Sequence, residues 1–120
     1  MKHPVKIKRA YEPASAGDGY RVLIDRLWPR GIAKQDLAID DWNKDLAPSP
    51  ALRKWFDHKV EHWDQFQESY QAELREADQQ ARLRELIQAA QGDKITLVYG
   101  AKDTEHNHAL ILAAELKRLY

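Results

Sequence analysis

Two short cationic stretches carry the most chemical potential in this chain, and each sits directly behind an apolar run. The first run, Tyr20-Arg21-Val22-Leu23-Ile24-Asp25, leads into Arg26-Leu27-Trp28-Pro29-Arg30-Gly31. The second, Ile95-Thr96-Leu97-Val98-Tyr99, leads into Gly100-Ala101-Lys102-Asp103-Thr104. Two arginines on a loop stiffened by Trp28-Pro29 suit a carboxylate or phosphate, because a guanidinium donates in a fixed fork. Gly31 admits a backbone shape closed to other residues. Lys102 and Thr104 stand at a strand-to-helix junction, where free backbone N–H groups favour an anion. Arg26, Arg30, Lys102 and Thr104 are therefore the expected anion-binding residues. Asp25, at a strand end, and His108, titratable near neutrality, are the candidate catalytic residues. Trp28, Pro29, Gly31 and Asp103 are expected to shape the site, with Asp103 or Thr104 capping the helix behind it. Each assignment has a plainer alternative. Arg26 could pair with an internal carboxylate, Trp28 could plug the core, and His108 could be satisfied by a backbone carbonyl.

Other chemistries find little support. The chain has no cysteine, which excludes disulfides, thiolate catalysis and zinc ribbons. Ser15, Ser49 and Ser69 lie in no nucleophile-elbow motif. Gly100-Ala101-Lys102 lacks the length and glycine spacing of a Walker loop. His58 and His62 have i,i+4 spacing, but no third ligand accompanies them and a helix break between them is expected, so no metal site is assigned. The sequence leaves the cofactor unknown. Trp55, Phe56, Trp63, Phe66 and Tyr70 form an aromatic stripe that belongs to the core or to a homodimer face rather than to a base-stacking platform.

The elements that must position these groups follow from periodicity. Val5-Lys6-Ile7-Lys8-Arg9 alternates and reads as a half-exposed strand, and Tyr11 to Gly19 is loop chemistry. The runs ending at Asp25 and Tyr99 read as buried strands. Arg26 to Asp36 is a loop ending in one helical turn. Ser49 followed by Pro50 is a helix start. From there to Gln91 the chain reads as helix in two or three pieces, closed by Gly92. A last helix is expected from about Thr104 to Leu119, with Ala109, Leu112, Ala113 and Leu116 buried. Strands separated by helices make this an α/β protein, one small domain over residues 1–120, with a largely parallel sheet and helices packed on it. In such sheets ligands sit beyond the carboxyl ends of the strands, which points to the loops after Asp25 and Tyr99.

Charge is balanced overall, 19 basic against 19 acidic residues, but it is unevenly spread. Residues 1–34 hold eight Lys/Arg and three Asp/Glu, while residues 35–93 hold seven and thirteen. The neutral total does not support a general nucleic-acid coat, although a local basic pocket stays open. The longest apolar stretch, Ala109 to Ala114, is too short to span a bilayer. Met1 to Lys8 has no signal-peptide core, and with the missing cysteines this makes the cytoplasm the expected compartment.

The segment Tyr20 to Gly31 closely resembles the signature of the YeaO-like family, small bacterial proteins grouped under a domain of unknown function. The resemblance continues through Leu46-Ala47-Pro48-Ser49, Leu52-Arg53-Lys54-Trp55-Phe56 and Phe66 to Leu74. It ends with Thr96 to Asp103 and Asn107-His108-Ala109, and so covers nearly the whole chain. It implies a single α/β domain and no established reaction. The family usually has Ser or Ala where this chain has Gly100. Three readings then compete. One is an enzyme acting on a small phosphorylated or nucleotide-like anion. Another is a non-catalytic ligand- or nucleic-acid-binding regulatory module, with the aromatic helices pairing two copies. The third is a purely structural network of arginines and aspartates.

Overall fold

Alternating apolar and charged residues in Val5–Arg9, against the unbroken apolar run of Ile95–Tyr99, assign these segments different places in one sheet. The structure, a computed structural model, describes residues 4–120. The first three residues of the amino-terminal stretch considered above lie outside it. Its strands are β1 (Val5–Arg9), β2 (Tyr20–Leu23), β3 (Asp41–Trp42) and β4 (Ile95–Tyr99), in the order β1-β4-β2-β3. Each paired neighbour runs parallel. β4 is central and buried along its whole length, whereas β1 is an edge and keeps its alternation.

The helices are α1 (Lys34–Leu37), α2 (Pro50–Phe56), α3 (Trp63–Leu74), α4 (Ala77–Ala90) and α5 (His108–Leu119). The period of two along each strand sorts the core into two layers. Val22, Ile24, Ile95, Leu97 and Tyr99 face one way and pack with residues of α2 to α5, including Phe56, Phe66, Tyr70, Leu83 and Leu112. Leu23 and Val98 face the other way, under Leu37 of α1 and the indoles of Trp28 and Trp42. The aromatic stripe is thus largely core, while Trp55 stays exposed and stacks on His62.

Two expectations need correction. β3 was not anticipated: two residues flanked by Asp40 and Asn43 carry too little apolar signal, and the strand exists because its backbone pairs with β2. The last helix starts at His108, not near Thr104. Asp103 caps a separate turn, accepting from the N–H groups of Glu105 and His106 at 2.8 and 3.0 Å. Asn107 is the true cap, its Oδ1 accepting from Ala109 N at 3.0 Å with its own backbone extended. The Ser49–Pro50 start of α2 stands as read, with Ser49 Oγ accepting from Leu52 N at 3.2 Å.

At the amino ends of the strands a polar cluster replaces the apolar second layer. Lys6, Thr96 and Arg21 form one row across β1, β4 and β2, and Lys8 follows Lys6 on the same face. Asp18 lies over them, fully buried, within 2.9 Å of Lys6 Nζ, 3.0 Å of Lys8 Nζ and 2.6 Å of Arg21 Nη1. Arg21 also donates to the carbonyls of Leu37 and Ala38, which ties α1 to the sheet. Gly19 must be glycine here. Its φ is +67°, and a Cβ would sit 2.4 Å from the Lys94 carbonyl oxygen that accepts from Tyr20 N. Burial alone would raise the Asp18 carboxyl. Hydrogen bonds from Lys6, the Ser15 backbone, Lys8 and the Ser15 hydroxyl outweigh burial and hold it well below the usual carboxylate range.

An Asp18→Asn variant leaves Lys8 and Arg21 without their counter-charge, and it is expected to lose about 3–5 kcal/mol of stability. Because the folded carboxyl titrates below its unfolded value, its contribution is complete above roughly pH 4 and fades as the solution is acidified further. Urea unfolding between neutral pH and pH 3 checks both points. A variant as stable as the parent, or one with the same acid sensitivity, would contradict this role.

Candidate functional site

The carboxyl ends of β2 and β4 meet through Ile24 and Asp25. Ile24 N still donates to Val98 O at 3.0 Å, so the ladder runs one residue past β2. Asp25 Oδ2 accepts from Gly100 N at 2.8 Å, and Asp25 O accepts from Trp42 Nε1 at 2.7 Å. His108, the first residue of α5, places Nε2 3.1 Å from the Ile24 carbonyl oxygen. A carbonyl only accepts, so Nε2 carries the hydrogen. Asp25 Oδ1 lies 3.3 Å from that nitrogen, buried and off the line of the N–H, and accepts no hydrogen bond among the described residues. Of the alternatives weighed for His108, satisfaction by a backbone carbonyl is the one observed. Gly100 lets this contact close: a Cβ there would lie 3.1 Å from Asp25 Oδ2.

Arg26 leaves the same strand end and donates from Nε to Pro48 O at 3.1 Å. It pairs with no internal carboxylate among the described residues; its backbone-directed bond links the β2 loop to the start of α2. That start is gripped a second time from α3. Glu73 accepts from Ser49 N at 2.9 Å and from Ser49 Oγ at 2.6 Å, and buried Tyr70 donates to Leu46 O at 2.5 Å. Burial, with the charges of Glu73 and Asp25 and against that of Arg26, pushes the Tyr70 phenol well above its ordinary value, so it remains a donor. The arginine loop closes on itself. Trp28 Nε1 donates to Ile32 O at 2.6 Å, the Trp28 ring meets Trp42 edge-on at 5.3 Å, and Pro29 is buried. Gly31 turns the loop at φ +83°.

These contacts bound a cleft of ≈ 730 Å³ at the carboxyl edge of the sheet. Asp25, Arg26, Trp28, Pro29, Arg30 and His108 all line it. Lys102, Asp103, Thr104 and Gly31 do not. Lys102 and Thr104 are exposed, because the helix begins several residues later than expected and a turn built on Asp103 fills the interval. Arg26 and Lys102 therefore do not share this hollow. His106, bonded through Nδ1 to Asp103 Oδ2 at 3.0 Å, reaches the cleft from that turn.

Sequence reasoning missed the second cationic wall, Arg53 and Lys54 of α2. The available signal was their position in the last turn of a helix whose capped start was legible, just before the buried Phe56. Asp57 and His58, which follow, also line the cleft and both adopt left-handed backbone, φ +45° and +56°. His58 and His62 consequently share no helix face. No group of three or more His, Asp or Glu residues is arranged to hold a metal among the described residues. Arg26, Arg30, Arg53 and Lys54 form no ion pair with any described residue. The cleft thus presents cations free of ion pairs with the described residues, while Asp25 and His108 are occupied with backbone groups.

A single parallel α/β domain with a cationic cleft at its strand ends is the class this geometry defines. The chain belongs to the DUF488-N3i family, described as the inactive DUF488-N3 subclade, whose model matches residues 4–120. It is similar to "Uncharacterized protein YeaO" of Escherichia coli (strain K12), with 48% identity over 115 residues, 96% of this chain and 98% of that protein. It is also similar to "Uncharacterized protein Rv3073c" of Mycobacterium tuberculosis (strain ATCC 25618 / H37Rv) and "Uncharacterized protein Mb3100c" of Mycobacterium bovis. Each is 40% identical over 109 residues, covering 91% of this chain and 90% of the relative. No solved structure matches the chain significantly. No helix among the described residues is long and apolar enough to cross a membrane.

If Asp25 mainly fastens strand ends, Asp25→Ala leaves Gly100 N–H unsatisfied and lowers stability by about 1–3 kcal/mol. Thermal or urea unfolding reads this directly. Equal or greater stability in the variant would instead mark Asp25 as a residue held in place for chemistry.

Proposed function

We propose that this protein is a non-catalytic binding module that holds a phosphate-bearing anion in the cleft between the arginine loop and α2. The observation that carries the reading is four cations on one cleft, Arg26, Arg30, Arg53 and Lys54, which outnumber its two carboxylates, Asp25 and Asp57, and lie within ion-pair distance of no described carboxylate. A chain of zero formal net charge has no general need to leave four positive groups facing one hollow. Arg26 brings its guanidinium there already fixed through Nε, so less freedom is lost when the remaining N–H groups engage an anion.

The competing reading is an enzyme using Asp25 and His108. It draws on the buried Asp25 Oδ1 beside the imidazole. Against it stand the backbone bonds of both residues and the description of the matching family as an inactive subclade. A shared-dimer role for the aromatic helices has less support, since Phe56, Phe66 and Tyr70 are buried within one chain.

Calorimetric titration with inorganic pyrophosphate tests the proposal. Binding should weaken as salt rises, because both partners are charged. Arg53 is exposed and its side chain bonds to no described residue, so Arg53→Ala should leave stability within about 0.5 kcal/mol. The same variant should weaken pyrophosphate binding roughly tenfold, the loss of one charge-assisted contact. Absent binding at millimolar pyrophosphate, or binding indifferent to salt and to Arg53, would refute the reading.

A further inference from the structure

The cations account for only part of the cleft wall. At ≈ 730 Å³ the hollow has the size of a site for a whole small molecule, far more than one phosphate group fills. Its mouth also carries apolar side chains. Four large hydrophobic residues are exposed among those described, and two of them, Leu27 at 72% and Tyr11 at 48%, line this cleft. Leu27 lies between Arg26 and Trp28 on the arginine loop. It remains outside both hydrophobic layers of the core.

Tyr11 is held rather than loose. Its hydroxyl donates to Arg30 O at 3.0 Å, and the Arg9 guanidinium carbon sits 5.2 Å from its ring centroid. Arg9 is itself anchored, donating from Nε to Ala101 O at 2.9 Å. The ring is thus fixed against the arginine loop, polarised by a cation on one side, with nearly half its surface open. A fixed aromatic ring beside phosphate-binding cations is the arrangement that stacks a planar heterocycle while the charged end of the same molecule is neutralised.

We infer that the ligand is a nucleoside phosphate, its phosphates on Arg26, Arg53 and Lys54 and its base on Tyr11 and Leu27. This rests on the anion-binding reading and adds the identity of the body attached to the anion. Two sources share that chemistry, a free nucleotide and the 5′-phosphorylated end of a nucleic-acid strand.

The decisive comparison is ADP against inorganic pyrophosphate, titrated into the full chain under one buffer. Pyrophosphate carries at least as much negative charge, so tighter ADP binding cannot come from charge. ADP is expected to bind about tenfold tighter or more, the range that stacking of one base provides. Tyr11→Ala should erase that advantage, and Leu27→Asn, at an exposed side chain that holds no part of the loop, should reduce it and leave pyrophosphate binding within twofold. Tyr11→Phe keeps the ring and should retain it. Equal affinity for ADP and pyrophosphate, or an ADP advantage untouched by both Tyr11→Ala and Leu27→Asn, would overturn the inference while leaving the anion site intact. If neither compound binds, the anion reading falls and this one falls with it. A 5′-phosphorylated trinucleotide binding tighter than ADP identifies the strand end as the source. The reverse order identifies the free nucleotide. Either order supports the inference, provided the Tyr11 effect is present.

Discussion

The cleft depends on how β2 ends. Ile24 and Asp25 gather three strands and a helix through four contacts: the Ile24 N–H on Val98, the Ile24 carbonyl on His108, the Asp25 carboxylate on Gly100 N–H and the Asp25 carbonyl on the Trp42 indole. Parallel strands that simply stopped here would leave backbone donors and acceptors unmatched at a partly dry edge, which is costly. Asp25 and His108 supply those partners. Both residues line the cleft, so the bonds that fasten the strand ends also form part of its wall.

Charge is sorted in the same sense. The buried carboxylates gather their cations elsewhere: Asp18 takes Lys6, Lys8 and Arg21, and Glu115 takes Arg75 and Arg118. Hydrogen bonding from Arg118, working against burial, holds Glu115 below the usual carboxylate range. Around the cleft the described cations have no such partner. Of the acidic excess of residues 35–93, Asp57 lines the cleft and forms no ion pair with these cations, two of which, Arg53 and Lys54, come from α2 in the same segment. Glu73 from α3 spends its carboxylate on the Ser49 cap, which fixes where α2 starts and so where Arg53 and Lys54 end up.

The sheet was legible where burial makes a strand uniformly apolar, as in β4, and where an edge leaves alternation, as in β1. The start of α2 was legible because a Ser–Pro pair states the cap and the first turn together. β3 was not, since two residues defined by their neighbour's backbone leave no pattern of their own. The start of α5 was misplaced because Asp103 and Asn107 are equally good capping residues, and only the folded backbone decides that Asp103 closes a turn while Asn107 begins the helix. Within the site, the arginine loop could be read from one contiguous stretch. For Arg53 and Lys54 the helix turn was legible but its place on the cleft was not, because that place comes from the Glu73–Ser49 and Arg26–Pro48 bonds, which join residues 24 and 22 positions apart. The cluster at Asp18 escaped notice for the same reason: its cations lie on two strands and meet only through register.

The most direct measurement is a nitrogen-resolved NMR titration that follows arginine side chains and backbone amides as pyrophosphate is added. The account predicts that Arg26 and Arg53 side-chain signals, and amides of the 25–30 loop and of 53–58, move together with one saturating curve. Signals from Arg21 and the Asp18 cluster should stay still. Movement centred on Lys6, Lys8 and Arg21, or no movement at the strand-end cleft at saturating anion, would contradict it.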